Sequence, residues 1–130
     1  MTIQISELGN SGDTRGFSFM LPSTALDFLG RVADLHLASI LPGAARGDHY
    51  HLRRREAIIV LPGAAWSLHW DKGEGTSPQH RRFSGNEAIL VLVPPGCSHA
   101  VRNDGAAPLW LIASSSETYD PAETVARKVV

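Results

Sequence analysis

The strongest constraint in this chain is its punctuation. Short apolar runs follow one another, and each is closed by glycine, proline or a small charged turn. Residues 33–40 read as a strand, and Leu41-Pro42-Gly43-Ala44-Ala45 as the turn after it. Residues 48–53 and 56–61 read as strands on either side of Arg53-Arg54-Arg55. Residues 65–71 alternate, with Trp66, Leu68 and Trp70 facing one way and Ser67, His69 and Asp71 the other. A loop over 72–76 and a polar strand over 79–84 follow. Residues 87–93 read as a strand buried on both faces, and 98–103 and 107–113 as two more. Only residues 23–32 carry helical spacing, with Ser23 as the capping residue and Gly30 interrupting the segment. Strands at this spacing, with turns between them, predict an all-β sandwich or barrel in one domain over residues 1–130. A closed barrel removes exposed sheet edges and leaves an interior for a ligand.

Composition supports one globular domain and narrows its partners. The chain has 130 residues, 43% hydrophobic and 19% charged, enough for a core without staples. Twelve basic and thirteen acidic side chains leave a formal charge of -1, so no overall basic field exists to hold nucleic acid. No apolar run is long enough to span a bilayer. Cys97 is the only cysteine, which excludes an intrachain disulfide and suits a reducing compartment. The first residues lack a basic stretch followed by an apolar one, so a cytoplasmic location is expected.

Four side chains stand out chemically. His49 and His51 are two apart in a strand, so their rings share a face. The turn at 53–55 resets the alternation and lets Glu56 face the same interior. His99 follows Pro94-Pro95-Gly96, which aims the chain into its last hairpin. Three imidazoles and a carboxylate suit one divalent transition ion: Zn2+, Fe2+, Mn2+ or Ni2+, with Cu2+ also compatible. Such a set does not suit Ca2+ or Mg2+.

At these residues the sequence resembles the cupin superfamily, whose fold is a double-stranded β-helix, or jelly-roll, barrel. Gly43, His49, His51, Glu56 and Gly63 match the first cupin motif, over 43–63. Pro94, Gly96, His99 and Asn103 match the end of the second, over 94–103. The opening glycine of the second motif is absent, since position 88 is Ala. The motifs imply the fold and the ligand set but no particular reaction.

Further segments are similar to cupins acting on sugar nucleotides. Asp13-Thr14-Arg15-Gly16-Phe17 and Arg46-Gly47-Asp48-His49-Tyr50 look like segments of dTDP-4-dehydrorhamnose 3,5-epimerases. Residues 94–121, with Ser115-Ser116-Glu117-Thr118-Tyr119-Asp120-Pro121, are similar to the C-terminal cupin domain of capsular polysaccharide reductase/epimerases. These resemblances imply proton transfer next to the keto group of a dTDP- or UDP-4-keto sugar, hence an epimerase or isomerase. They imply Arg15 and Arg46 as phosphate-binding residues and His49 as the base. His49 cannot serve as base while its lone pair holds a metal. If it is a ligand, the candidates for the base become His36, His69 and Tyr119, with Tyr50 disfavoured because it points away from His49. An Fe2+-dependent dioxygenase and a non-catalytic small-molecule binder are the alternatives. By analogy with other cupins a homodimer is expected, with Ile3 to Leu8 as an exchanged strand.

Overall fold

The computed structural model describes residues 2–73 and 76–130. The elements run β1 (Gln4–Leu8), α1 (Ser23–Leu29), β2 (Asp34–Ile40), β3 (Ala45–His51), β4 (Glu56–Val60), β5 (Trp66–Trp70), β6 (Gln79–Phe83), β7 (Ala88–Val93), β8 (His99–Asn103), β9 (Leu109–Ser115), a 3-10 turn at Pro121–Glu123 and β10 (Thr124–Ala126). They form two five-stranded sheets, ordered β1-β7-β4-β9-β2 and β10-β3-β8-β5-β6. All the pairings are antiparallel. This is the cupin jelly roll expected from the motifs. Among the described residues no helix is long and apolar enough to cross a membrane.

The core lies between the sheets. Ile58, Val60, Ile89, Val91, Val93, Leu109, Leu111 and Ala113 come from the first sheet, and Trp66, Leu68 and Val101 from the second. Each fully buried aliphatic side chain contributes about 1.5–3 kcal/mol. Trp66 stacks on Phe83 with ring centroids 4.2 Å apart. The second face of β7 is covered too: Leu90 and Leu92 pack with Ala25 and Leu29 of α1. That is why 88–93 reads as buried throughout.

Several boundaries differ from the sequence reading. The helix ends at Leu29, not at residue 32, because Gly30 adopts φ 74° and its N–H bonds back to the Leu26 carbonyl. Ser23 is its first residue rather than its cap; Pro22 holds the cap position and makes no side-chain capping bond. The strand expected over 48–53 runs from Ala45 to His51, so part of the expected turn at 41–45 belongs to it. Part of the expected 72–76 loop, residues 74 and 75, lies outside the described residues. The segment Ile3 to Leu8, expected as a strand, supplies β1, which pairs with β7 at the edge of the first sheet. Neither the 3-10 turn nor β10 is signalled in the sequence. In β2 two leucines are exposed, Leu35 at 56% and Leu37 at 70%, while Asp34 and His36 are among the residues that line the cavity described next.

Candidate metal centre and cavity

A cavity of about 1090 Å³ opens between the sheets, with Glu56, Ile58, Ala113 and Leu111 on one wall and His49, His51, His99 and Val101 on the other. Two local devices bring its polar residues together. First, Gly96 in the turn before β8 adopts φ 83° and donates its N–H to the His51 carbonyl. This ties the second motif to the end of the first. Second, the β3–β8 register slips between Gly47 and His49. Arg46 lies opposite Val101 and His49 opposite His99, so a bulge turns two side chains three apart toward the same interior. Glycine is required there: Gly47 has φ 114°, and a Cβ on it would collide with the His99 carbonyl oxygen.

The four expected ligands converge. One donor atom from each of His49, His51, Glu56 and His99 lies within 4.8 Å of the others. His51 Nε2 is 2.6 Å and His99 Nε2 3.5 Å from Glu56 Oε1. Partners on the far side fix two of the rings. His51 Nδ1 lies 2.7 Å from Glu123 Oε1, and His99 Nδ1 3.1 Å from the Cys97 carbonyl oxygen. Each Nδ1 thus has an acceptor on the ring's far side, which directs both Nε2 atoms at Glu56. His51 Nε2 and Glu56 Oε1 are buried and, despite their closeness, make no hydrogen bond of usable geometry. Imidazole nitrogens crowded around one buried carboxylate oxygen are an arrangement that a cation completes, so the donor set fits a divalent transition ion.

The electrostatics of the residues alone agree with their crowding. Burial, with His99 and His51 beside it, pushes His49 down to about 4. Burial alone would raise Glu56, but the contacts of His51 and His99 outweigh it and hold the carboxyl below the usual range. Burial opposes charge on His99, yet Glu56 raises it above an ordinary imidazole.

The other expected residues divide. His36, Arg46 and Tyr119 line the cavity. Arg46 donates from Nε to the Ser39 carbonyl at 2.9 Å, which spans the two sheets. His69 is not part of the cavity wall. It lies on the face of β5 opposite Trp66 and Leu68, 2.9 Å from the Ser67 hydroxyl and stacked on His80. Arg15 is also elsewhere: its side chain is 89% exposed and paired with Asp13 at 2.6 Å. Tyr50 is absent from the wall, as alternation with His49 and His51 requires. Cys97 is buried in the core cluster. Of the tryptophans, Trp66 and Trp70 pack in the core, and Trp110 stands at the cavity.

Sequence reasoning missed two residues here. Glu123 is buried behind His51, and burial alone would raise its carboxyl. The Arg53 and Arg54 backbone N–H groups and His51 outweigh that and lower it. Arg54, expected only as part of the charged turn at 53–55, is 5% exposed and lines the cavity. A run of three arginines gives no sign that the middle one turns inward.

Residues 27–125 match the model of the polysaccharide biosynthesis C-terminal domain. The spore coat polysaccharide biosynthesis protein SpsL of Bacillus subtilis is 22% identical over 98% of this chain and 87% of its own length. Among solved structures, NovW, a 4-keto-6-deoxy sugar epimerase from Streptomyces spheroides, superposes with a TM-score of 0.77. It is 20% identical over 95% of this chain and 68% of that one. A mutant of the 3,4-ketoisomerase QdtA from Thermoanaerobacterium thermosaccharolyticum, in complex with TDP-4-keto-6-deoxyglucose, gives a TM-score of 0.73. It is 12% identical over 95% of this chain and 86% of that one.

Proposed function

The chain belongs to the polysaccharide biosynthesis C-terminal domain family, and from that premise we propose that it is a metal-holding epimerase or isomerase that moves a proton next to the keto group of a nucleotide-linked sugar. The observation that carries this reading is the convergence of His49, His51, Glu56 and His99 in the wall of an open cavity that also contains His36, Arg46 and Tyr119. NovW and QdtA, whose names specify a keto-sugar epimerase and a ketoisomerase, share the fold and support the reaction class.

His49, His51, Glu56 and His99 hold the ion. When bound, it supplies Lewis-acid stabilisation for an oxygen that gains negative charge as a neighbouring carbon loses its proton. With the His49 lone pair committed to the ion, His36 takes the part of base. It stands on the inward face of β2, aligned with Ala113 of the core. Tyr119, across the chain's last crossover, returns a proton. Arg46 presents a guanidinium to the diphosphate, anchored through Ser39. Arg15, exposed and paired with Asp13, has no part in this reading. The exposed Leu35 and Leu37 on edge strand β2 suit a homodimer, which light scattering tests.

The test is solvent exchange. A dTDP- or UDP-4-keto-6-deoxy sugar incubated with the protein in D2O is expected to gain deuterium beside the carbonyl, read by mass spectrometry. No exchange with any such sugar, in protein carrying stoichiometric metal, overturns the reaction. Elemental analysis is expected to find one of Zn, Fe, Mn or Ni per chain.

A further inference from the structure

Glu123 does not touch the converging ligand atoms, yet it is bound to the site through both of its oxygens. It is 1% exposed, and a carboxylate that deep needs donors around it. Its Oε2 accepts from the backbone N–H groups of Arg53 and Arg54, each at 3.1 Å. Those bonds shape the turn that delivers Glu56. Its Oε1 faces His51 Nδ1 at 2.7 Å, with Arg54 Nε at 3.6 Å. The division matters: Oε2 serves the turn, and a purely structural role needs nothing from Oε1.

The segment around Glu123 is fixed from both sides. Asp120 caps the 3-10 turn by accepting from Ala122 N at 3.0 Å. The Leu52 N–H donates to the Glu123 carbonyl at 2.9 Å, and Thr124 pairs with His51 at the start of β10. Glu123 thus reaches His51 from rigid backbone. Arg54 completes the group. It is buried, its Nε and Nη2 make no hydrogen bond, and Nε lies 3.6 Å from Glu123 Oε1, so it sets a positive charge beside that oxygen.

We propose that Glu123 is a positioning residue for the metal centre: through Nδ1 it holds His51 in the one tautomer and orientation that aim the Nε2 lone pair at the ion, with Arg54 as the counter-charge that keeps the carboxylate in place. The proposal rests on the metal-holding reading above. Carboxylates that hold a ligating imidazole in this way raise metal affinity by about 10–100-fold. The C-terminal segment 120–126 is therefore part of the metal site, not only an edge of the second sheet.

The experiment compares the wild type with Glu123→Gln and Asp120→Ala. Asp120→Ala loosens the same segment without touching His51. Two quantities are read: the ring nitrogen of His51 that keeps its proton in the Zn2+-loaded protein, by long-range 15N NMR, and Zn2+ affinity, by competition with a chelator. The wild type is expected to show His51 protonated at Nδ1 and to bind one Zn2+. Glu123→Gln is expected to mix the tautomers and bind about 10–100-fold more weakly at unchanged stoichiometry. Asp120→Ala is expected to melt lower with tautomer and affinity intact. Equal loss of affinity in both variants reduces Glu123 to a structural role and overturns the proposal. So does unchanged affinity in Glu123→Gln. If Glu123→Gln does not fold, a wild-type His51 protonated at Nε2 still overturns it. A wild type that binds no Zn2+, Fe2+, Mn2+ or Ni2+ sinks the metal reading itself, whereas a wild type that binds Zn2+ with no loss in Glu123→Gln sinks this proposal alone.

Discussion

At one end of the barrel Val60, Trp66, Leu68, Leu109 and Ile40 fill the interior. At the other end β4 and β2 offer Glu56, Asp34 and His36, and β8 offers His99. β4 carries Glu56 at its first position and Val60 at its last, and β2 runs from Asp34 to Ile40. The ends also differ in how buried polar groups are satisfied. Asn103, at the closed end, donates to the Ile40 and Ala107 carbonyls at 2.8 Å each and accepts from the Gly105 N–H at 2.9 Å. Trp66 Nε1 lacks a partner there. At the open end His51 Nε2, Glu56 Oε1, Ser115 Oγ and two nitrogens of Arg54 all lack one. Buried polar atoms are normally paired, so this clustering marks the open end as built for something other than stability. The closed end supplies the packing that holds it open.

The largest test of that division is Trp66→Ala. It removes the stacked indole at the closed end and is expected to cost about 3–5 kcal/mol in urea unfolding, with metal stoichiometry unchanged in the folded protein. Loss of metal at equal folding would show that the ends are not separable. Next, His36→Ala is expected to lower solvent exchange into a keto sugar by about 100-fold or more, whereas His69→Ala leaves it unchanged. The reverse ranking would move the chemistry out of the cavity. Gly47→Ala is expected to cost roughly 2 kcal/mol through its left-handed φ and the collision with His99. A thermal melt of the metal-free protein measures this, and a neutral result would mean that the bulge relaxes easily. The smallest expected change is in the metal-free stability of Glu56→Gln, within about 1 kcal/mol of wild type or above it. Its melting temperature should no longer rise with Zn2+. A metal-free Glu56→Gln that unfolds would make the open end structural.

How much of this could be read from the sequence varies by residue. The His49, His51, Glu56 and His99 set was legible because two motifs and strand alternation fix it locally. His36 and His69 were indistinguishable: each is a histidine on an alternating strand. The structure separates them, because β2 brings His36 to the cavity whereas His69 lies on the face of β5 away from it, beside Ser67 and His80. Hydrophobic alternation assumes an apolar interior, and that assumption fails where the interior is a polar cavity. Arg15 and Arg46 were equally matched to their motifs, and only Arg46 reaches the cavity. Its direction depends on the bulge opposite β8.

By itself the sequence determined the jelly-roll class, the convergence of His49, His51, Glu56 and His99, and the turns that bring them together. These follow from side-chain periodicity and from glycine and proline backbone preferences, which act over a few residues. The tertiary structure decided what surrounds the ligands. Glu123 and Arg54 meet His51 only because β10 pairs with β3 after the chain has passed through both sheets. A contact made by chain closure at that distance leaves no local pattern, so the four converging residues could be named in advance while the groups packed behind them could not.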